Sequence, residues 1–212
     1  EDAQTLHRDC MRFANHHHSS LICSMIPYHL SVRPLEEQDI IHIVNYWTQS
    51  EESFLTGMGV ELSLLPKPEQ LQAMLSNQLR TPLPEKKAYC LIWLADEIPV
   101  GHCNINPINF GHSAYMHLHI WNAHLRNKGI GAHLLRMTIP YFFKDLQLQH
   151  LYSEPYSLNP APHRTLAAAG FQLEKEYVTT PGSLSFQQEV KRWVITKDAF
   201  HKLYPTSIHH SL

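Results

Sequence analysis

The stretch that decides the reading runs from Ala114 to Leu135, AYMHLHIWNAHLRNKGIGAHLL. Its first half alternates: Met116, Leu118 and Ile120 share one face, Tyr115, His117, His119 and Trp121 the other, as in a strand. It then turns through Arg126-Asn127-Lys128-Gly129-Ile130-Gly131 into an amphipathic helical pattern. Two glycines let the backbone bend closely and leave a run of N–H groups at a helix start. Backed by the helix dipole, such a run is an anion cradle suited to a pyrophosphate.

Two familiar phosphate loops are excluded. A P-loop needs Gly-Lys-Ser/Thr after its spacer, and the chain has none. A dinucleotide fingerprint needs a third glycine where Leu134 stands. The pattern Arg-x-x-Gly-x-Gly after a strand instead resembles the acyl-CoA pyrophosphate loop of the GNAT superfamily of N-acyltransferases. By itself the hexapeptide also suits a plain strand–turn–helix. A second segment, Glu154-Pro155-Tyr156-Ser157-Leu158-Asn159 followed by Pro160 to Phe171, resembles the other GNAT signature: a strand end, an Asn, a short helix, then Gly-Phe opening a strand. In order and spacing the resemblance spans roughly Ser31 to Tyr204.

Composition sets outer bounds. The chain has 212 residues, 43% of them apolar, enough for one domain with a sizeable core. We read residues 1–26 as an N-terminal extension and 27–212 as a single GNAT-like domain. The formal net charge of −2 gives no global field for nucleic acid. No apolar run reaches the length of a membrane span, and no cleavable signal peptide is visible. Cys10, Cys23, Cys90 and Cys103 show no Cys-x-x-Cys spacing, so reduced thiols and a cytoplasmic location are expected. His16, His17 and His18 are consecutive and cannot converge on one ion from a helix or strand; a solvated segment is expected.

The periodicity predicts the order of elements. Asp2–Asn15 suits a short helix and Tyr28–Arg33 a strand. A helix follows with Ile40, Ile43, Val44 and Trp47 inward, then a loop over Ser50–Gly59. Pro66–Leu79 suits a helix with Leu71, Met74 and Leu75 on one stripe. Lys87–Ala95, Val100–Ile108 and the central strand form an antiparallel meander, with Pro107 forcing an edge or bulge. The helix from Gly129 to about Asp145 carries Ile130, Leu134, Met137 and Tyr141 inward, and Pro140 predicts a kink or an early end. His150–Glu154 lies parallel to the central strand. Pro162–Ala169 is a helix, and Phe171–Thr179 with Lys191–Lys197 form a closing hairpin around the loop Pro181–Gln188. The fold class is α+β, a mixed, mostly antiparallel sheet flanked by helices.

The GNAT resemblance implies that the central strand and the strand after its helix splay apart to admit acetyl-CoA. The backbone of His119, Ile120 and Trp121 would pair with the pantetheine, the loop Arg126, Asn127, Lys128, Gly129, Ile130, Gly131 would hold the pyrophosphate, and Asn159 would help fix the co-substrate. The chemistry is attack of a neutral amine on a thioester, which needs a proton acceptor, since an alkylamine has a pKa near ~10. His117 and then His119 are the candidate bases, because histidine titrates in the useful range. Glu154 is the candidate to orient or charge-stabilise the base, and Tyr115 a candidate substrate contact. Many GNAT enzymes carry a Glu at the position of Tyr115, and His117-Leu118-His119-Ile120 instead resembles the His-x-x-Ile of siderophore-type acyltransferases. Many carry a Tyr acid where this chain has Leu166, so no protein acid is named; a thiolate of pKa near ~8.5 leaves with little help.

Two alternatives exist at these residues. His117, His119 and Glu154 form a zinc-like set, but no Cys cluster accompanies it and no metal is expected. Trp47, Trp93, Trp121 and Trp193 lie in apolar periodic segments, which favours core packing over an aromatic substrate pocket. The leading function is transfer of acetyl from acetyl-CoA to a small primary amine in a ternary complex. The stretch from Glu174 looks like the ends of aminoglycoside and siderophore acetyltransferases, yet few acidic residues flank the site for a polycation. The competing readings are a catalytically idle acyl-CoA-binding or sensing module and a protein N-terminal or lysine acetyltransferase. A homodimer through the closing hairpin is allowed; nucleic acid and membrane are not expected partners.

Overall fold

The alternation around His117 becomes the fourth strand of a seven-stranded sheet in the computed structural model, which describes residues 26–205. The strands are β1 (Leu30–Pro34), β2 (Tyr89–Ala95), β3 (Ile98–Asn109), β4 (Ser113–Ile120), β5 (His150–Ser153), β6 (Gln172–Thr179) and β7 (Gln188–Thr196). Their spatial order is β1-β2-β3-β4-β5-β7-β6. Only β4 and β5 run parallel, and every other neighbouring pair is antiparallel. The helices are α1 (Ile40–Gln49), α2 (Glu52–Gly57), α3 (Pro68–Arg80), α4 (Ile130–Leu146), α5 (Pro160–Ala168) and α6 (Lys197–Leu203). A mixed, mostly antiparallel α+β architecture is therefore observed, with α4 as the crossover that a parallel pair requires.

The two sheet faces are covered differently. Leu91, Trp93, Cys103, Ile105 and Met116 meet the buried stripe of α4, including Leu134, Ile139, Phe142 and Leu146. On the other face Cys90, Ile92 and Leu94 lie under Ile43 of α1 and Leu71 and Leu75 of α3. Each such apolar side chain contributes roughly 1.5–3 kcal/mol by leaving water. The indole N–H of Trp93, fully buried, donates to Thr138 Oγ1 at 2.7 Å, so the larger core carries no orphaned donor there.

Several local expectations change on packing. Ser50–Gly59 is not all loop: α2 forms within it, placing Leu55 in the interior and Phe54 beside the site. Pro140 does not end α4, which continues to Leu146 because Ile139, Phe142, Phe143 and Leu146 are all anchored in the core. Met137 and Met74 turn outward, at 40% and 63% exposure, since Leu135 and Thr138 take the inward positions of α4, and Leu71 and Leu75 suffice for α3. The irregularity expected at Pro107 is present as a register shift between Ile105 and Ile108. Cys90 and Cys103 are free and buried. The helix read over Asp2–Asn15, the histidines His16 to His18, and Cys10 and Cys23 lie outside the described residues.

One feature of the sheet positions the site. β4 pairs with β5 only over Ser113–Tyr115, against His150–Tyr152. Beyond that the strands part. Ser153 Oγ donates to the Met116 carbonyl at 2.9 Å, closing the ladder where the gap begins.

Candidate active site

Strand geometry decides which backbone groups face the gap. His119 sits opposite His102 on β3, and Trp121 N–H donates to the Val100 carbonyl at 2.9 Å, so residues 119 and 121 direct their main chain towards β3. Gly101 is required there, because a Cβ would collide with the His119 carbonyl. The alternate residues, Leu118 and Ile120, direct theirs into the gap. Of the three residues first assigned to pantetheine pairing, only Ile120 therefore faces the opening, and Leu118 joins it. The Ile120 carbonyl is already taken by Arg126 Nε at 3.0 Å, which leaves its N–H and both main-chain groups of Leu118.

The loop after β4 is shaped as its glycines suggest. Gly129 has φ +79°, a left-handed conformation that costs an L side chain about 1–2 kcal/mol, and nothing lies within 4 Å of where its Cβ would be. Open space thus stands in front of the first turn of α4, where N–H groups converge with the positive end of the helix. Gly131 faces Ile120 and Thr165, at 3.5 and 3.7 Å from an added Cβ. Arg126 does not reach out from the loop. Its guanidinium bonds the Ile120 and Trp121 carbonyls and lies 4.0 Å over the Phe54 ring, tying the loop to the end of β4. Lys128 is exposed, and Ile130 places its side chain in the core while its N–H belongs to the cradle. Asn159 caps α5 by accepting from Ala161 N–H at 3.4 Å, and Arg164 of α5 donates to Asn127 Oδ1 at 3.4 Å.

A cavity of about 550 Å³ occupies this gap, bounded by Leu118, Ile120, Gly129, Gly131, Asn159 and Arg164, with Tyr46 and His119 at its inner end. A second cavity, about 530 Å³, lies over the other face of the sheet beneath α1 and α3. A narrower space of about 140 Å³ shares Trp47, Asn104 and Asn106 with the second cavity and Met58 and His119 with the first. His117 and His119 line this waist.

His102 is buried and His117 and His119 are half-buried, and the surroundings of all three disfavour the charged imidazolium. Loss of hydration lowers the pKa of His117 and holds that of His119 well below the ordinary value, helped at His119 by repulsion from His102, His117 and Arg126. Burial takes His102 down to about 3. His117 Nε2 lies 3.2 Å from the Asn106 carbonyl. A carbonyl only accepts, so Nε2 carries the proton and Nδ1 keeps its lone pair. His119 Nδ1 is 3.1 Å from the Tyr46 hydroxyl, whose pKa burial raises, and its ring stacks on His102 at 4.7 Å. Trp121 Nε1–H donates to His102 Nδ1 at 2.7 Å.

The remaining predicted residues sit elsewhere. Glu154 accepts from the Tyr177 hydroxyl and lies 4.0 Å from Arg192, and it bonds neither histidine among the described residues. Its negative charge is thereby engaged by β6 and β7 rather than by His117. It still borders a small space of about 100 Å³ that His117 also lines. Tyr115 stacks on Tyr152 at 5.3 Å, one turn of alternation before the waist. Trp93 is core, Trp121 and Trp193 pack half-buried against the core, and Trp47 packs against the core under α1 and also lines the second cavity and the waist. Tyr46, Phe54, His102 and Arg164 were not singled out. His102, Asn104 and Asn106 do alternate with Cys103 and Ile105 on β3, a pattern that marks a polar face; nothing local marks Tyr46.

A sheet parted beside a glycine-bent helix start, with histidines at the junction of two cavities, suits transfer of a group between two bound molecules. The chain belongs to the acetyltransferase (GNAT) domain family, whose model matches residues 29–172, and it is an acetyl-CoA-dependent N-acetyltransferase of that family. Comparison with characterised protein sequences gives no match. Among solved structures, spermidine N-acetyltransferase from Vibrio cholerae with CoA and spermine is similar at TM-score 0.66 and 20% identity, over 81% of this chain and 97% of that one. A ribosomal-protein alpha-N acetyltransferase with coenzyme A is similar at 0.65 and 14%, over 80% and 95%. An aminoglycoside acetyltransferase with coenzyme A is similar at 0.61 and 15%, over 82% and 98%. No helix among the described residues is long and apolar enough to cross a membrane.

Proposed function

We propose that the chain moves the acetyl group of acetyl-CoA to a small primary amine by direct attack in a ternary complex, with His117 as the proton acceptor. The observation that carries this reading is the arrangement of two cavities of about 550 and 530 Å³ meeting at the His117–His119 waist. Acetyl-CoA supplies the activated thioester. The cradle at Asn127 to Gly131 suits its pyrophosphate, and Leu118 and Ile120 offer main-chain groups to the pantetheine. The N–H groups of these two residues are also the donors available to a thioester oxygen as charge develops on it.

The acceptor enters from the second cavity. Its nitrogen forms the new bond to the acetyl carbon, the carbon–sulfur bond breaks, and one proton passes from nitrogen to His117 Nδ1. His117 is suited by its fixed tautomer, and its depressed pKa keeps it unprotonated through neutral pH. His119, tied to Tyr46 and stacked on His102, shapes the waist and serves as the second candidate. The thiolate leaves without a named acid, since Leu166 is fully buried and apolar. Titration of enzyme with acetyl-CoA by calorimetry, followed by free-thiol release with a panel of amines, tests the reading. Saturable binding with amine-dependent thiol release supports it; binding without release from any amine would assign the idle acyl-CoA module instead.

This reading includes a cytoplasmic location, where the donor is made available. It also allows a homodimer: β6 is the edge of the sheet, and Leu173 and Val178 are exposed on it. Sedimentation of the purified protein tests that part.

A further inference from the structure

The second cavity is lined by Cys90 of β2, by His102, Asn104 and Asn106 of β3 and by residues 85–88 ahead of β2. At one end stands His102, opposite Ile92 in the β2–β3 ladder; at the other stand Lys86 and Lys87, just ahead of Tyr89. Lys87 lies five positions ahead of Ile92, a span of at most roughly 18 Å of chain at 3.3–3.6 Å per residue. Between the ends the walls are mostly apolar, with Ile43, Trp47, Leu71 and Leu75, and Asn77, Gln78 and Thr81 add polar groups near the end of α3. Asn104 and Asn106 mark the side that opens to the waist and His117.

The charge in this chamber is the reverse of what a polyamine needs. Its carboxylate is Glu85, exposed and next to the two lysines. Neither lysine forms an ion pair among the described residues. Lys86 is half-buried, its pKa lowered by loss of hydration, and it donates to the Gln78 carbonyl near the end of α3. That contact ties the loop after α3 to the chamber wall and holds the ammonium at the far end. By contrast, spermine and kanamycin, named with similar structures, carry several ammonium groups.

We infer that the acceptor is an elongated primary amine with an apolar body and an anionic group at its far end, the amine at the waist and the anion at Lys86 and Lys87. The inference deepens the transferase reading and rests on it for the reaction, not for the fit. Charge complementarity selects the occupant: an ammonium at the far end would meet two lysines, an anion would replace water on a half-desolvated cation.

The test compares three probes with one body and three endings: ω-aminooctanoate, octylamine and diaminooctane. Binding is measured by calorimetry to enzyme saturated with CoA, so that no transfer occurs, and thiol release is measured separately with acetyl-CoA. The expected order of affinity is aminooctanoate, then octylamine, then diaminooctane, with about two- to fivefold between the first and second, as one solvent-accessible charge pair gives. The double variant Lys86→Glu, Lys87→Glu should invert the order of the two charged probes, a gain that misfolding does not imitate; a lysine that merely caps α3 would lower stability and leave the order alone. Diaminooctane binding as well as aminooctanoate overturns the inference. So does an unaltered order in the double variant, or no binding of any probe while CoA still binds. The expected binding order without thiol release upholds the chamber's chemistry and overturns the transfer reading.

Discussion

The two sides of β4 are built from different materials. On the gap side the working parts are main chain: the N–H groups after Gly129, the free edge of Leu118 and Ile120, and glycines that keep space open. On the opposite side they are side chains from distant segments, with Trp47, His102, His117 and Lys86 brought together by α1, β3, β4 and the loop ahead of β2. A main-chain site is fixed by local conformation and tolerates change everywhere but at its glycines. A side-chain site can be re-specified residue by residue. The donor side is therefore expected to break abruptly and the acceptor side to retune.

The sharpest break is Gly131→Glu. The new side chain would start 3.5 Å from Ile120 and project an acid into a cradle made for phosphate, so saturable acetyl-CoA binding by calorimetry should disappear with the fold retained by circular dichroism. On the other side His117→Ala should lower kcat by about 10²–10³-fold while the Kd for acetyl-CoA stays nearly constant. The same variant should also remove the acid limb of the kcat/KM profile, which in the wild type lies below pH ~6.5 because burial lowers the His117 pKa. A retained rate would take His117 out of the mechanism.

Stability should separate the two sides more gently. His102, His117 and His119 have folded pKa values below the unfolded value, so above pH ~6.5 both states are neutral and their contribution is complete. As pH falls below that, the unfolded chain takes up protons the folded chain refuses. The unfolding free energy should then drop by about 1.4 kcal/mol per pH unit for each histidine, and in the case of His102 continue towards pH about 3. Denaturant titrations across this range should show a shallower slope in His102→Asn. The smallest effect belongs to neither side: Thr138→Val leaves the Trp93 indole N–H unpaired in the core and should cost about 1–3 kcal/mol without altering kcat.

The legible part of the molecule is the donor side. Alternation over Tyr115–Ile120, the glycine-bent helix start and the parallel β5 all occur where the sequence places them, while the helix read from Pro162 begins two residues earlier, at Pro160, with Asn159 as its cap. Local patterns also misled where packing had the last word. The sequence of Ser50–Gly59 carries no strong helical stripe, yet burial of Leu55 holds a turn and a half there. Pro140 lacks an N–H, yet four core anchors outweigh one missing hydrogen bond.

What the sequence by itself determined is the fold class, the family and the glycine-bent start of α4, because these depend on residues within a few positions of one another. Only the tertiary structure decided that Glu154 answers to Tyr177 and Arg192, that residues 118 and 120 face the gap, and that His102 stacks on His119. It also decided that Lys86 and Lys87 end a chamber beginning at His102. Those facts depend on strand register and on helices packed across the sheet, where neighbours in space lie tens of residues apart in the chain and local periodicity carries no information about them.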